Sequence, residues 1–184
     1  ELFTVEKVHS SPARFDMKKL EAINGDKIRA LSVEDFARWT IPFLKKASVI
    51  EGTDAEIVLV KQALPLIQER IVKLDEAPQL LKFLFVKEFA IDSDAVSKVN
   101  DESAKSILKR AQSELEQLST WNHEAIEAAL RTSLIEEMGL KPRIAFTALR
   151  IATTGSTISP PLFESMELLG KQACLARISL ALSL

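Results

Sequence analysis

Tyrosine is absent from the 184 residues, cysteine occurs once, histidine twice and glycine five times. Each shortage closes off a class of protein. A lone cysteine, Cys174, cannot form an internal disulfide, so a secreted disulfide scaffold is excluded and a reducing cytoplasm is the natural expectation. The histidines, His9 and His123, have no cysteine or acid at metal-ligand spacing, so no zinc site is expected. No apolar run approaches the ~18 residues of a membrane span, and no secretory leader opens the chain. Phosphate-cradling glycine loops are missing, as is the Gly-x-Ser-x-Gly elbow of nucleophilic hydrolases. Glu1 stands where a complete chain would carry Met, which suggests a piece of a longer polypeptide.

What is present reads as helix throughout. Hydrophobic residues make up 47% and charged residues 27%, the balance of an ordinary globular protein. Apolar residues recur at i, i+3, i+4 over stretches of roughly 10–18 residues. Asp16 precedes a helix that Asn24-Gly25 should interrupt, giving two short helices that meet at a corner. Ser32 and Asp35 resemble a capping box, after which Phe36, Trp39, Thr40 and Phe43 line one face. Thr53-Asp54-Ala55-Glu56 is a regular capping box, opening a stretch to about Arg70 that Pro65 should kink. Asp75-Glu76-Ala77-Pro78 suits a first helical turn. Further helices are predicted over about 101–119, 123–138, 142–152, 161–169 and 171–183, with Gly139 and Gly170 as stops. A break at residues 89–94 marks a boundary, so the expected fold is all-α, with two packed helical domains over 1–92 and 93–184. Trp39, Phe83, Phe85, Trp121 and Phe163 stand among Leu and Ile at helical spacing and read as core. Cys174, between Ala173 and Leu175, reads the same way.

The formal charge of −2 argues against indiscriminate coating of nucleic acid, which needs a strongly positive field. Its distribution is uneven. Residues 86–139 carry six Lys/Arg against eleven Asp/Glu, whereas residues 140–184 carry five against two. By chemistry alone the chain is a helical binding module with a basic carboxyl-terminal part.

Two segments carry a family resemblance. The first is Ser11-Pro12-Ala13-Arg14-Phe15-Asp16-Met17-Lys18-Lys19-Leu20, continuing to Asn24 and Ile28-Arg29. The second is Leu149-Arg150-Ile151-Ala152-Thr153-Thr154-Gly155, then Ser159-Pro160-Pro161-Leu162-Phe163-Glu164, then Leu168-Leu169-Gly170-Lys171. Together, in this order, they resemble the tRNA-reading carboxyl-terminal region of bacterial-type glutamyl-tRNA synthetases. The sequence departs from the family at Lys141-Pro142-Arg143, where a Gly-containing turn is usual, and at Ala148-Leu149-Arg150, where the family has Pro-Leu-Arg. The family's ATP-site signatures, of the His-Ile-Gly-His and Lys-Met-Ser-Lys-Ser types, occur nowhere in these residues. The resemblance therefore implies recognition without catalysis: no cofactor here, with ATP and Mg2+ serving the parent enzyme.

By that resemblance, Arg70 falls where the family reads the third anticodon base, cytosine in glutamate tRNAs and guanine in glutamine tRNAs. A guanidinium presents only donors, in a rigid fork that suits cytosine's acceptors. Arg150, Ser159, Pro160 and Leu162 fall where the family packs around the first anticodon base, with Ser159 expected as a helix N-cap. Lys18, Lys19 and Arg29 are implied contacts to the tRNA stem backbone. The implied partners are tRNA(Glu), with tRNA(Gln) as a second candidate, and a catalytic domain upstream, in a cytoplasmic monomer with no membrane contact. A helical protein–protein scaffold and a free-standing tRNA-binding paralogue remain the alternative readings.

Overall fold

In the computed structural model, which describes residues 16–184, the elements are helical and no strand occurs among the described residues. His9 and the Ser11–Phe15 half of the first motif lie outside the described residues. The helix α1 (Met17–Arg29) begins at Asp16, whose side chain accepts from the Lys19 amide. It runs straight through Asn24-Gly25, so the predicted corner is wrong. The reason is tertiary. A Cβ at Gly25 would lie 3.1 Å from Val72 Cγ1, and the Asn24 amide donates to the Val72 carbonyl. The dipeptide is a docking notch for the segment after Arg70, and packing overrides its local preference for a turn.

Ser32 caps α2 (Val33–Lys46) by accepting from the Asp35 amide. The buried stripe of α2 is Phe36, Ala37, Thr40 and Leu44. Trp39 and Phe43 fall on its flank, 54% and 37% exposed, so Trp39 is not the core residue its spacing suggested. The capping box of α3 (Asp54–Ala63) forms as predicted. Glu56 takes the amides of Glu51, Gly52 and Thr53, and the Thr53 bond, followed by the others, holds its carboxyl down at about 2. Pro65, which has no N–H to return to Lys61, divides this stretch into α3 and the short α4 (Pro65–Gln68). From α4, Gln68 donates at 2.9 Å to the carbonyls of Ile28 and Leu31, satisfying the end of α1. A 3₁₀ turn at Leu74–Glu76 leads into α5 (Ala77–Leu81). These helices share one hydrophobic cluster centred on Phe36, Leu44, Leu64, Ile67, Ile71 and Leu81.

A second cluster gathers α6 (Glu102–Gln117), α7 (His123–Leu130), α8 (Pro142–Thr154), α9 (Leu162–Leu169) and α10 (Lys171–Leu182). Asp101 and Asn122 cap α6 and α7. Beyond Leu130 the predicted α-helix widens into a π-helical segment, Arg131–Glu137, that turns Ser133 and Leu134 inward. Cys174 lies in this cluster, and burial pushes its thiol up to about 12, as expected of an inert core residue.

Among the ties that join the clusters, three involve α8, α9 and α10. Leu168 of α9 packs against the first. Gly155, at φ 81°, ends α8 and lies so close to the 89–94 connection that a Cβ would stand 2.6 Å from the Ala90 carbonyl, while its own carbonyl accepts from Asp92 at 2.8 Å. Third, Arg177 of α10 is buried, 8% exposed, with its ring-facing partner Phe89 at 4.3 Å. Its guanidinium donates to the carbonyls of Thr153 at 2.7 Å and Phe83 at 2.8 Å. The first of these is an orphan carbonyl in the last turn of α8.

Arg177→Met should cost about 3 kcal/mol or more, since two buried carbonyls lose charged donors at once. Urea unfolding against the unsubstituted chain reads this directly. A second expectation concerns pH. His123 of α7 meets Glu167 of α9 through Nδ1 at 2.7 Å and through its backbone amide at 3.0 Å. That bond raises the imidazole above its ordinary 6.5 and lowers the carboxyl below its ordinary 4.5. The histidine's contribution is complete below 6.5 and lost as pH rises through its folded value; the glutamate's is complete above 4.5 and lost on acidification. The melting-temperature difference between the unsubstituted chain and Glu167→Gln should therefore be greatest between 4.5 and 6.5 and shrink by about pH 9.

Candidate nucleic-acid interface

Residues separated by most of the chain meet where the α8–α9 connection passes the end of α4. Arg150 lies one turn before the end of α8, and the connection from Gly155 to Pro161 folds back over it. Arg150 Nη1 donates to the Pro160 carbonyl at 2.7 Å, to the Ser159 hydroxyl, and at a long 3.4 Å to the Ser159 carbonyl. Arg70 Nη1 reaches the same Ser159 carbonyl, also at 3.4 Å, from 89 residues away in sequence. Four of the eight positions nominated from the sequence, Arg70, Arg150, Ser159 and Pro160, thus form one crevice.

Its electrostatics are unusual. Two guanidiniums point at one carbonyl oxygen, and among the described residues neither forms an ion pair with a carboxylate. Burial, and then the charge of Arg70, pulls the Arg150 guanidinium below its ordinary pKa. Like charges left unneutralised at one point create a site that an electron-rich group would relieve. Because both side chains are anchored on loop carbonyls, their remaining N–H donors have a fixed direction.

The structure alters two of the expected roles. Ser159 is not the N-cap of α9. The cap position is Pro161, without a side-chain bond, and the Ser159 hydroxyl instead accepts from Arg150 and donates to the Pro160 carbonyl at 3.0 Å. Arg150 holds the Ser159-Pro160 pair clear of the helix, so α9 starts later than a Ser-Pro-Pro reading implies. Leu162 is 4% exposed within the second cluster, so it is a core residue and not an accessible contact. The remaining three positions lie on α1. Lys18 and Lys19 are exposed, while Arg29 is engaged by Asp26 at 2.6 Å.

One residue escaped the sequence reading. Ile158, next to Ser159, is 74% exposed, more than any other large hydrophobic among the described residues. Its signal was present: a single aliphatic side chain among Gly155-Ser156-Thr157 and Ser159, with no helical partner to bury it. Among the described residues no three His, Cys, Asp or Glu side chains converge as metal ligands do.

An exposed arginine facing a second guanidinium, with no carboxylate partner among the described residues, contributes little to folding. Arg70→Gln, which removes one of two like charges from an exposed position, should leave the unfolding free energy unchanged or raise it by up to about 0.5 kcal/mol. Urea midpoints at low and high salt test this, and a clear loss of stability would mark Arg70 as a structural residue.

Comparison with known proteins places the chain in a family. The family model described as "Anticodon binding domain" matches residues 35–182. A glutamate–tRNA ligase from Saccharopolyspora erythraea is 45% identical over 181 residues, covering 97% of this chain and 36% of that protein. One from Acidothermus cellulolyticus is 48% identical over 168 residues, covering 89% and 33%. The chain therefore spans about a third of the length of the curated relatives it matches. A crystal structure of a glutamate tRNA ligase from Elizabethkingia meningosepticum superposes with a TM-score of 0.78 at 22% identity, over 98% of this chain and 35% of that one, so the fold is shared. With a family model covering most of its residues, this chain belongs to the anticodon-binding domain family.

Proposed function

We propose that the chain reads the anticodon loop of tRNA(Glu) as the non-catalytic, carboxyl-terminal part of a glutamyl-tRNA synthetase. The observation that carries this reading is the convergence of Arg70 and Arg150 on the Ser159 carbonyl without a neutralising acid. Unpaired bases are recognised on their edges by fixed donors and by contact with apolar or planar groups. The crevice offers both: directed guanidinium N–H groups and, beside them, the exposed Ile158.

In this reading Arg150 and the Ser159-Pro160 carbonyl rim hold the first anticodon base, with Leu162 supporting the rim from the core. Arg70 donates to the acceptors of the third base, a cytosine, and disfavours the guanine that glutamine tRNAs carry there. Lys18 and Lys19, and Arg29 once it exchanges Asp26 for a phosphate, give sequence-blind contact with the stem. Residues 1–92 and 93–184 act as two helical units, each supplying one arginine. ATP and Mg2+ belong to the catalytic domain, the covalent partner of this chain in a cytoplasmic monomer. Remote binding energy of this kind positions the acceptor end of the tRNA for reaction.

In the full-length ligase, Arg70→Gln should narrow the preference for tRNA(Glu) over tRNA(Gln) in kcat/KM. Arg150→Ala should weaken binding of a glutamate-tRNA anticodon stem-loop by about 1–3 kcal/mol relative to the unsubstituted protein. Equal binding of the cognate and a scrambled loop by the unsubstituted chain would sink the proposal and favour a protein–protein scaffold. Unchanged tRNA preference in Arg70→Gln would remove Arg70 from the reading site.

A further inference from the structure

The basic excess of residues 140–184 is more focused in space than in sequence. Of its five cations, Lys171 is committed to the carbonyls of Glu116 and Leu118, at 2.9 and 2.8 Å, and Arg177 is buried between Phe83 and Thr153. The other three, Lys141, Arg143 and Arg150, all stand on α8 or immediately before it. Arg143, Thr147 and Arg150 are spaced i, i+4, i+7, so they share one face of the helix, and the Cα atoms of the two arginines lie about 10 Å apart along its axis.

At the Arg143 end of this face, α8 and the start of α6 enclose an open pocket of about 310 Å³, walled by Lys98, Asp101, Ser103, Arg143 and Thr147 above Ile107. Lys98 and Arg143 are exposed and, among the described residues, neither forms an ion pair. The one carboxylate in the wall is spent as a helix cap, accepting from the Ala104 amide at 2.8 Å. The Thr147 hydroxyl donates to the Arg143 carbonyl at 2.6 Å, which ties it to the helix. Two free cations against one engaged acid, in a recess continuous with the face that carries Arg150, make a seat for an anion.

We propose that Lys98 and Arg143 bind the backbone phosphates of the RNA strand flanking the base held at Arg150. The inference rests on the anticodon-loop reading above and extends it to the strand on the far side of that base. The face then divides its work: Arg150 at the crevice reads a base edge, and Arg143 with Lys98 fixes the register of the strand without regard to sequence.

The experiment measures binding of the chain to the glutamate-tRNA anticodon stem-loop and to a scrambled loop across a salt series. Lys98→Ala, Arg143→Ala, their combination, Arg150→Ala and, as a distant control, Lys46→Ala are compared with the unsubstituted chain. Lys98→Ala and Arg143→Ala should each weaken binding of both loops by the same factor, roughly three- to tenfold, and reduce the slope of log K against log salt by about 0.7. Lys46→Ala should change neither. Affinity and slope unaltered in both variants, with Arg150→Ala still impaired, overturns the phosphate seat and leaves the anticodon reading standing. A loss confined to the cognate loop also overturns it, since that marks base contact. If the unsubstituted chain does not distinguish the loops, the anticodon reading fails and the proposal falls with it. Circular dichroism of each variant excludes unfolding as the cause, both side chains being exposed.

Discussion

The arrangement of this molecule depends on one buried cation. Arg177 gives one nitrogen to the Thr153 carbonyl and another to the Phe83 carbonyl, with the Phe89 ring closing over the guanidinium. Burying a charge is costly unless its donors are filled, and burial does pull this guanidinium below its ordinary pKa. The site is retained because it satisfies two carbonyls that helix ends would otherwise leave bare. It also sets geometry. Thr153 lies one turn after Arg150, and Phe83 belongs to the stretch that follows Arg70, so the same guanidinium that joins the two clusters also ties the segments that carry Arg70 and Arg150.

That coupling explains how an exposed crevice is made rigid. Arg150 is anchored on Ser159 and Pro160, the connection carrying them is hemmed by Gly155 against Ala90, and α8 is held by Arg177. Recognition of unpaired bases needs donors whose direction does not relax when the ligand is absent, and each of these contacts removes one degree of freedom. The cost is a like-charge pair kept without a counter-ion, a local violation of good packing of the kind found where function is carried.

The helices, and the caps at Ser32 and Thr53, were legible in the sequence because capping is local chemistry. Asp101 and Asn122, which were not singled out, follow the same rule. Ser32, Thr53, Asp101 and Asn122 each satisfy an amide three residues onward, a relation any short window contains. Signals that failed were answered from a distance. Asn24-Gly25 reads as a stop until Val72 is brought against it, and Ser159 reads as an N-cap until Arg150 claims its hydroxyl. Trp39 keeps helical spacing with Phe36 and Phe43, but the cluster lies a third of a turn away, on the Ala37 and Thr40 side. The widened turn at Arg131–Glu137 has no marker in its residue types. Arg70 and Arg150 could be nominated singly, but nothing in their spacing of 80 residues says that they share an acceptor.

Arg177 has a further consequence, for the order in which the chain acquires its shape. The Phe83 carbonyl is separated from its donor by 94 residues. On a ribosome adding ~5–20 residues per second, the first cluster waits roughly 5–20 seconds for that partner. During that interval Phe36, Leu44 and Ile67 can already collapse together, because every member of their cluster except Leu168 lies before residue 86. The crevice cannot form so early, since Arg150, Ser159 and Pro160 all lie beyond the first cluster's own stretch of chain. A nascent chain would therefore be compact in its first half well before Arg70 and Arg150 are brought to a common acceptor.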